Sequence, residues 1–262
     1  VAKTSWQQRI RRAEQLATQY SFAAEILGFY VHVAHFQENL GQRLERASAR
    51  KGPVSVADLP ESPELLASLP GFLTLVEEKG PARFAQVASD LRSSSGSWPD
   101  LLSYSWSSRG EPDAPEEFLA LAFLQPYAEL VRSRAGLQLD GYTHSLCPFC
   151  NRKSALGVLR PRGDGARRNL VCGFCMCEWE FRRIVCAGCG QEDQAKLPVY
   201  TAEQFSHIRV ECCDACHAYI KSVDFAKDGL ADPLADELAS VPLDLWAQEH
   251  GYVKLRPNLL GM

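Results

Sequence analysis

The sequence predicts a multidomain α+β chain: an all-α N-terminal domain, two small metal-stapled ribbon modules in tandem, and a short helical C-terminal tail. Three observations carry this prediction. Apolar residues recur at three- and four-residue steps through the first half of the chain. All ten cysteines lie between 147 and 216, with none in residues 1–146. Eight of them form four Cys-x-x-Cys pairs, 147/150, 172/175, 186/189 and 213/216, flanked by short β-like runs. The expected units are residues 1–141 for the helical domain, 142–184 for the first module, and 185–262 for the second module with the C-terminal helices.

From Thr4 to about Lys51 the apolar stripe runs through Trp6, Ile10, Ala13, Ala17 and Tyr20, then Phe22, Ile26, Phe29, Tyr30, Val33, Phe36, Leu40 and Leu44. It is too long for one average helix, so a break is expected near Thr18–Ser21, with a stop at Gly52 and Pro53. Helices are expected at 61–69, 71–79, 81–94, 97–108 and 114–135, their first turns marked by Pro63, Pro81, Pro99 and Pro115. Pro126 is expected to kink the last of them. Beyond Gly141 the β-like runs are 157–160, 168–172, 178–183, 207–212 and 217–225. RPRGDGAR (160–167) has the composition of a hairpin tip. Helices return at 232–240 and 243–250, and the tail from Gly251 reads as irregular.

The cysteine spacing is the chemical signal. Two thiols on one tight turn supply half of a tetrahedral site, so four pairs make two closed tetrathiolate sites. The two pairs of each half are separated by 21 and 23 residues, which reads as a tandem repeat. That favours sequential pairing, Cys147 and Cys150 with Cys172 and Cys175, and Cys186 and Cys189 with Cys213 and Cys216. Interleaved pairing satisfies the same arithmetic. A thiol–disulfide redox motif is the competing reading, and four pairs tiling into equal repeats argue against it. Closed tetrathiolate sites are structural by habit, and thiolate ligands accept zinc or iron alike. Cys177, Cys212 and His217 stand beside complete frames and read as bystanders. His32 and His35 have no companion ligands. Trp179 and Phe181 suit the core of a small metal-pinned module.

Composition narrows the partners. The chain has 262 residues, 46% hydrophobic and 23% charged, with a formal net charge of −4. Residues 141–262 hold 14 Lys and Arg against 15 Asp and Glu, so the basic feature is a single hairpin. Nucleic acid is therefore the alternative and not the expected partner. Arg152, Lys153, Arg160, Arg162, Arg167 and Arg168 are expected instead to offset thiolate charge. The run at 22–36 carries Glu25, His32 and His35 and is too short to span a bilayer. No secretory signal pattern is evident, so a cytoplasmic location and no membrane span are expected. Phosphate-loop, nucleophile-elbow, zincin and dinucleotide motifs are missing, and no reaction is suggested.

CPFC (147–150), CGFCMCEWEFRRIVCAGC (172–189) and VECCDACHAYIKSVDF (210–225), followed by ADPLADELASVPLDLWAQEHGY (231–252) and RPN (256–258), resemble the formate dehydrogenase accessory protein family. The resemblance implies a non-enzymatic, chaperone-like maturation factor in the cytoplasm. It would bind the molybdenum- or tungsten-containing catalytic subunit of a respiratory formate dehydrogenase before export. It also implies two rubredoxin-like metal ions, iron in preference to zinc, on Cys147, Cys150, Cys172, Cys175, Cys186, Cys189, Cys213 and Cys216. A homodimer is left open.

Overall fold

The computed structural model describes residues 5–51, 63–108, 114–163, 165–258 and 261. Six helices come first: α1 (Trp6–Gln19), α2 (Ala24–Lys51), α3 (Pro63–Lys79), α4 (Ala82–Ser93), α5 (Trp98–Ser107) and α6 (Pro115–Arg134). Helix α1 starts at a capping box, in which the Ser5 hydroxyl accepts from the Gln8 N–H and the Gln8 side chain accepts from the Ser5 N–H. It ends at Gln19, and a short 3₁₀ turn at Ser21–Ala23 leads into α2, so the expected break is present. The stop expected at Gly52 and Pro53 lies outside the described residues.

The two helices expected at 61–69 and 71–79 are one. Helix α3 runs through Pro70 without interruption, as α6 runs through Pro126. The remaining contacts hold these helices together: Phe36, Phe72 and Phe123, from α2, α3 and α6, meet at ring-centroid distances of 5.3–6.3 Å in the centre of the helical body. Helix α6 is buried almost all round from Leu119 to Glu129, because it packs on other helices on one side and on the ribbons on the other.

The ribbons form one sheet in the order β3-β2-β1-β6-β5-β4, with β7 also on β6. The strands are β1 (Leu156–Arg162), β2 (Gly165–Val171), β3 (Glu178–Glu180), β4 (Val199–Thr201), β5 (Ile208–Cys212), β6 (Ala218–Asp224) and β7 (Val253–Lys254). Neighbours are antiparallel except at β1–β6 and β6–β7. Strands β4 and β7 were not expected from sequence. The parallel β1–β6 pair joins the two cysteine-bearing ribbons into one continuous sheet. Gly157 sits at this seam, where a Cβ would lie 2.2 Å from the Ser222 hydroxyl oxygen and 3.2 Å from its Cβ, so a larger residue would force Ser222 to shift.

Two short helices close the chain, α7 (Pro233–Ala239) and α8 (Val241–Glu249). Asp232 caps α7 through the N–H groups of Leu234 and Ala235. Helix α7 packs on α1, fastened by ion pairs. Arg12 of α1 donates to both Asp236 oxygens at 2.9 and 2.6 Å and to Asp228 at 2.6 Å, and His207 meets Asp236 at 2.7 Å. Below them Lys221 of β6, fully buried, bonds the Glu237 carbonyl at 2.7 Å and Asp244 at 2.6 Å. Among the described residues no helix is long and apolar enough to cross a membrane.

Candidate metal centres

Each Cys-x-x-Cys pair folds into the same turn. The N–H four residues after the first cysteine returns to that cysteine's carbonyl: Asn151 to Cys147, Met176 to Cys172, Gly190 to Cys186 and His217 to Cys213, at 2.8–3.1 Å. The N–H of each first cysteine donates in turn to the carbonyl five residues on, in Arg152, Cys177, Gln191 and Ala218, at 2.8–3.0 Å. The residue that follows each second cysteine is left-handed, with φ of 57° at Asn151, 52° at Met176, 78° at Gly190 and 56° at His217. Asn151, Met176 and His217 are the non-glycine residues with positive φ among those described. Left-handed backbone at Met and His is costly, and the turn is what requires it. His217 and Cys177 therefore have a role that sequence reasoning did not assign: one reverses the chain and the other supplies a carbonyl.

The turns bring the cysteines together as two sets, Cys147, Cys150, Cys172 and Cys175, and Cys186, Cys189, Cys213 and Cys216. The sequential grouping is the one found. Sulfur–sulfur distances are 3.4, 3.5 and 3.8 Å in the first set and 3.7 and 3.8 Å in the second. A tetrahedral ion with metal–sulfur bonds near 2.3 Å needs ligand edges of about 3.8 Å. The donor sets therefore fit a thiophilic divalent or ferric ion in shape and in kind. Cys177 and Cys212 are buried but lie in neither set.

Protonation points the same way. Contact with Cys150 pushes the Cys147 thiol up to about 12, contact with Cys147 raises Cys172, and burial raises Cys175. Cys150 alone is driven far down, by its contact with Cys147. The other three thiols hold their protons beside that thiolate, and a bound cation favours their ionisation and releases the protons. When bound, such an ion supplies a cross-link between the two turns of each set.

The arginines of the first ribbon do not do what was expected of them. Arg160 forks onto Glu178 at 3.1 and 2.8 Å, Arg167 and Arg162 lie 3.2 and 4.0 Å from Glu180, and Arg168 lies 2.6 Å from Glu211. These four cations face three strand carboxylates, with Arg162 and Arg167 sharing Glu180, so they are engaged away from the thiols. Compensation at sulfur comes from backbone N–H groups. Arg152 N–H lowers Cys150, and Gly188 and Cys189 N–H groups lie 3.3 and 3.5 Å from the Cys186 sulfur.

The first set is built into the helical body. Phe174, inside its second turn, lies edge-on to Trp106 at 5.6 Å. The Arg152 guanidinium stacks on Phe174 at 4.1 Å and donates to the Ser105 and Trp106 carbonyls at 2.5 and 3.1 Å. Gln125 of α6 donates to the Gly173 carbonyl at 2.9 Å. Trp179 is buried and donates its indole N–H to the His144 carbonyl at 3.0 Å, in keeping with its expected core role. His32 and His35 are exposed on α2, away from both sets. A third cluster, His207, Asp228 and Asp236, was not anticipated from sequence. Arg12 already supplies its positive charge.

Comparison with known proteins agrees with this architecture. Residues 184–260 match the family model described as FdhE, C-terminal domain. The chain is 27% identical over 267 residues to a Protein FdhE homolog from Aquifex aeolicus, covering 96% of this chain and 94% of that one. It is 33% identical to a homolog from Pseudomonas putida, over 58% of this chain and 49% of the relative. A crystal structure of the FdhE protein from Pseudomonas aeruginosa superposes with a TM-score of 0.68 at 24% identity, covering 99% of this chain and 96% of that chain. The chain thus shares its fold along its whole length with that structure, and its C-terminal region matches the FdhE C-terminal domain model.

Proposed function

We propose that this protein is a non-enzymatic accessory factor for the assembly of formate dehydrogenase, acting in the cytoplasm on the catalytic subunit before its export. The observation that carries the reading is the pair of four-cysteine sets, made by four equivalent turns on one sheet, in a chain whose C-terminal region matches the FdhE C-terminal domain model. The eight cysteines hold two metal ions, iron in preference to zinc. Their part is to fix the ribbons as a rigid surface beside the helical body, which suits holding a large protein client. We also propose residues 1–141, 142–184 and 185–262 as its units, with the last two cooperating through the β1–β6 seam.

An anaerobic affinity purification from native cytosol, with nuclease-treated controls and mass spectrometry of retained proteins, tests this. Recovery of a molybdenum- or tungsten-enzyme large subunit that survives nuclease is the expected result. Recovery of nucleic acid and its usual companions alone would overturn it in favour of a ribbon that reads nucleic acid. Metal analysis of the anaerobically purified protein is expected to give two ions per chain.

A further inference from the structure

The two cysteine sets share their turns but differ in what covers them. All four sulfur-bearing residues of the first set are buried, Cys147, Cys150, Cys172 and Cys175 at 1, 7, 0 and 0% exposure. In the second set Cys186 and Cys213 are buried, whereas Cys189 and Cys216 are exposed. The turn residues explain the difference. The first set's turns are Cys-Pro-Phe-Cys and Cys-Gly-Phe-Cys, each carrying a phenylalanine, and Phe174 is fully buried. Phe174 is itself pinned by Trp106 and Arg152. The second set's turns are Cys-Ala-Gly-Cys and Cys-Asp-Ala-Cys, with no aromatic side chain.

The second set is covered on its inner side, by the segment that follows α8. Leu255 lies against Gly188, where a Cβ would come within 3.2 Å of it, Tyr252 donates to Asp214 at 2.6 Å, and the Val253 N–H donates to the His217 carbonyl at 2.7 Å. Nothing from the helical body closes its outer edge at Cys189 and Cys216 among the described residues. Ligand exchange at a tetrathiolate ion begins with an incoming donor that reaches the ion or displaces one thiolate. At the second set that approach needs no opening of the fold. At the first it requires Phe174 and Arg152 to leave the helical body, a local unfolding event.

We propose that the two centres are inequivalent. The first is a fixed pin between ribbon and helices, and the second is an exchangeable metal site entered at the Cys189–Cys216 edge. This rests on the metal-binding part of the reading above and adds a division of labour between the centres. Exchange here is a ligand substitution, with each metal–thiolate bond replaced by one to the incoming donor and no change of oxidation state.

The test uses the full chain loaded with zinc and the chromogenic chelator 4-(2-pyridylazo)resorcinol in excess. Release is expected in two steps of one equivalent each, with rates separated by at least about tenfold, the factor that each ~1.4 kcal/mol of opening free energy contributes. Iodoacetamide added after the first step, with peptides mapped by mass spectrometry, is expected to label Cys186, Cys189, Cys213 and Cys216 and to spare the first set. Cys189→Ser is expected to abolish the fast step and leave the rate of the slow one unchanged. Two equivalents released at one rate, or label first on Cys147–Cys175, overturn the inequivalence while leaving metal binding intact. Fewer than two ions on the loaded chain overturn both.

Discussion

Arg152 is the residue whose replacement separates a fastened first centre from a merely adjacent one. It follows the first Cys-x-x-Cys turn, is 1% exposed, and reaches out of the ribbon to the last turn of α5. There it donates to the Ser105 and Trp106 carbonyls, at the helix end where carbonyl groups lack intrahelical donors and a cation is favoured. Hydrogen bonds from a charged donor contribute about 1.5 kcal/mol each at the lower end of their range, and a desolvated cation–π contact about 1 kcal/mol more. Arg152→Met keeps much of the side-chain length and volume, so the cavity cost is small, and removes all three contacts together. The expected loss is about 4 kcal/mol, a large share of a domain's net stability. The assay is urea denaturation of the metal-loaded protein followed by far-UV circular dichroism, and a fall in midpoint at unchanged slope is the expected form. Arg152→Lys keeps the charge but not the planar fork, so about half the loss should remain. If Arg152→Met lies within about 1 kcal/mol of the parent protein, the guanidinium does not fasten the ribbon to α5 and the reasoning is refuted.

Other perturbations follow from the same structure. Gly190→Val places a β-branched residue at a φ of 78° in the second set and should cost about 1–2 kcal/mol and weaken metal retention there, read by chelator competition. His217→Gly, at 56° in the companion turn, should be neutral or stabilising by up to about 1 kcal/mol in the same measurements. Arg12→Met leaves the buried Asp236 with only His207 and the Asp232 N–H and should destabilise the protein by about 3 kcal/mol in urea. Glu237 is the site for a pH test. Burial would raise its carboxyl, but Lys221 and Lys254 outweigh that and bring it down to about 2. A depressed carboxyl contributes stability above its unfolded value and loses it as pH falls toward the folded one. The stability difference between the parent and Glu237→Gln, about 3 kcal/mol near pH 6, should therefore shrink between about pH 4.5 and 2. A difference independent of pH over that window would show that Lys221 and Lys254 do not set the Glu237 carboxyl.

The metal sets were legible because cysteine spacing is local information: a Cys-x-x-Cys turn closes on itself, and equal intervals group the turns in order. The helical half was legible because its apolar residues keep a helical period. Pro70 misled, since a proline in a helix costs a hydrogen bond that packing of Phe72 and Leu73 in the core can outweigh. β4 has no alternating burial to announce it, with all three of its residues exposed, and β7 is only two residues long. The arginines of the first ribbon were assigned to the thiolates because sequence proximity suggested it. Their partners are Glu178, Glu180 and Glu211, which only the strand pairing β2–β3 and the fold of β5 bring near. The exposed edge of the second centre was written in the small residues of its turns, though nothing in the spacing distinguishes it from the first.

The clasp between α1 and α7 has a consequence for how the chain matures. Arg9 and Arg12 are synthesised well before their carboxylate partners Asp232 and Asp236, which lie 223 and 224 positions later. Until those residues arrive, two guanidinium groups have no acidic match from α7 and the first helix cannot be sealed against it. The contact between α1 and α7 must wait for both ribbons to be made, because α7 follows them in the chain. Completion of the fold is thereby made to depend on both cysteine sets having been translated, and a chain interrupted between them would be left with an open, proteolysable amino-terminal half.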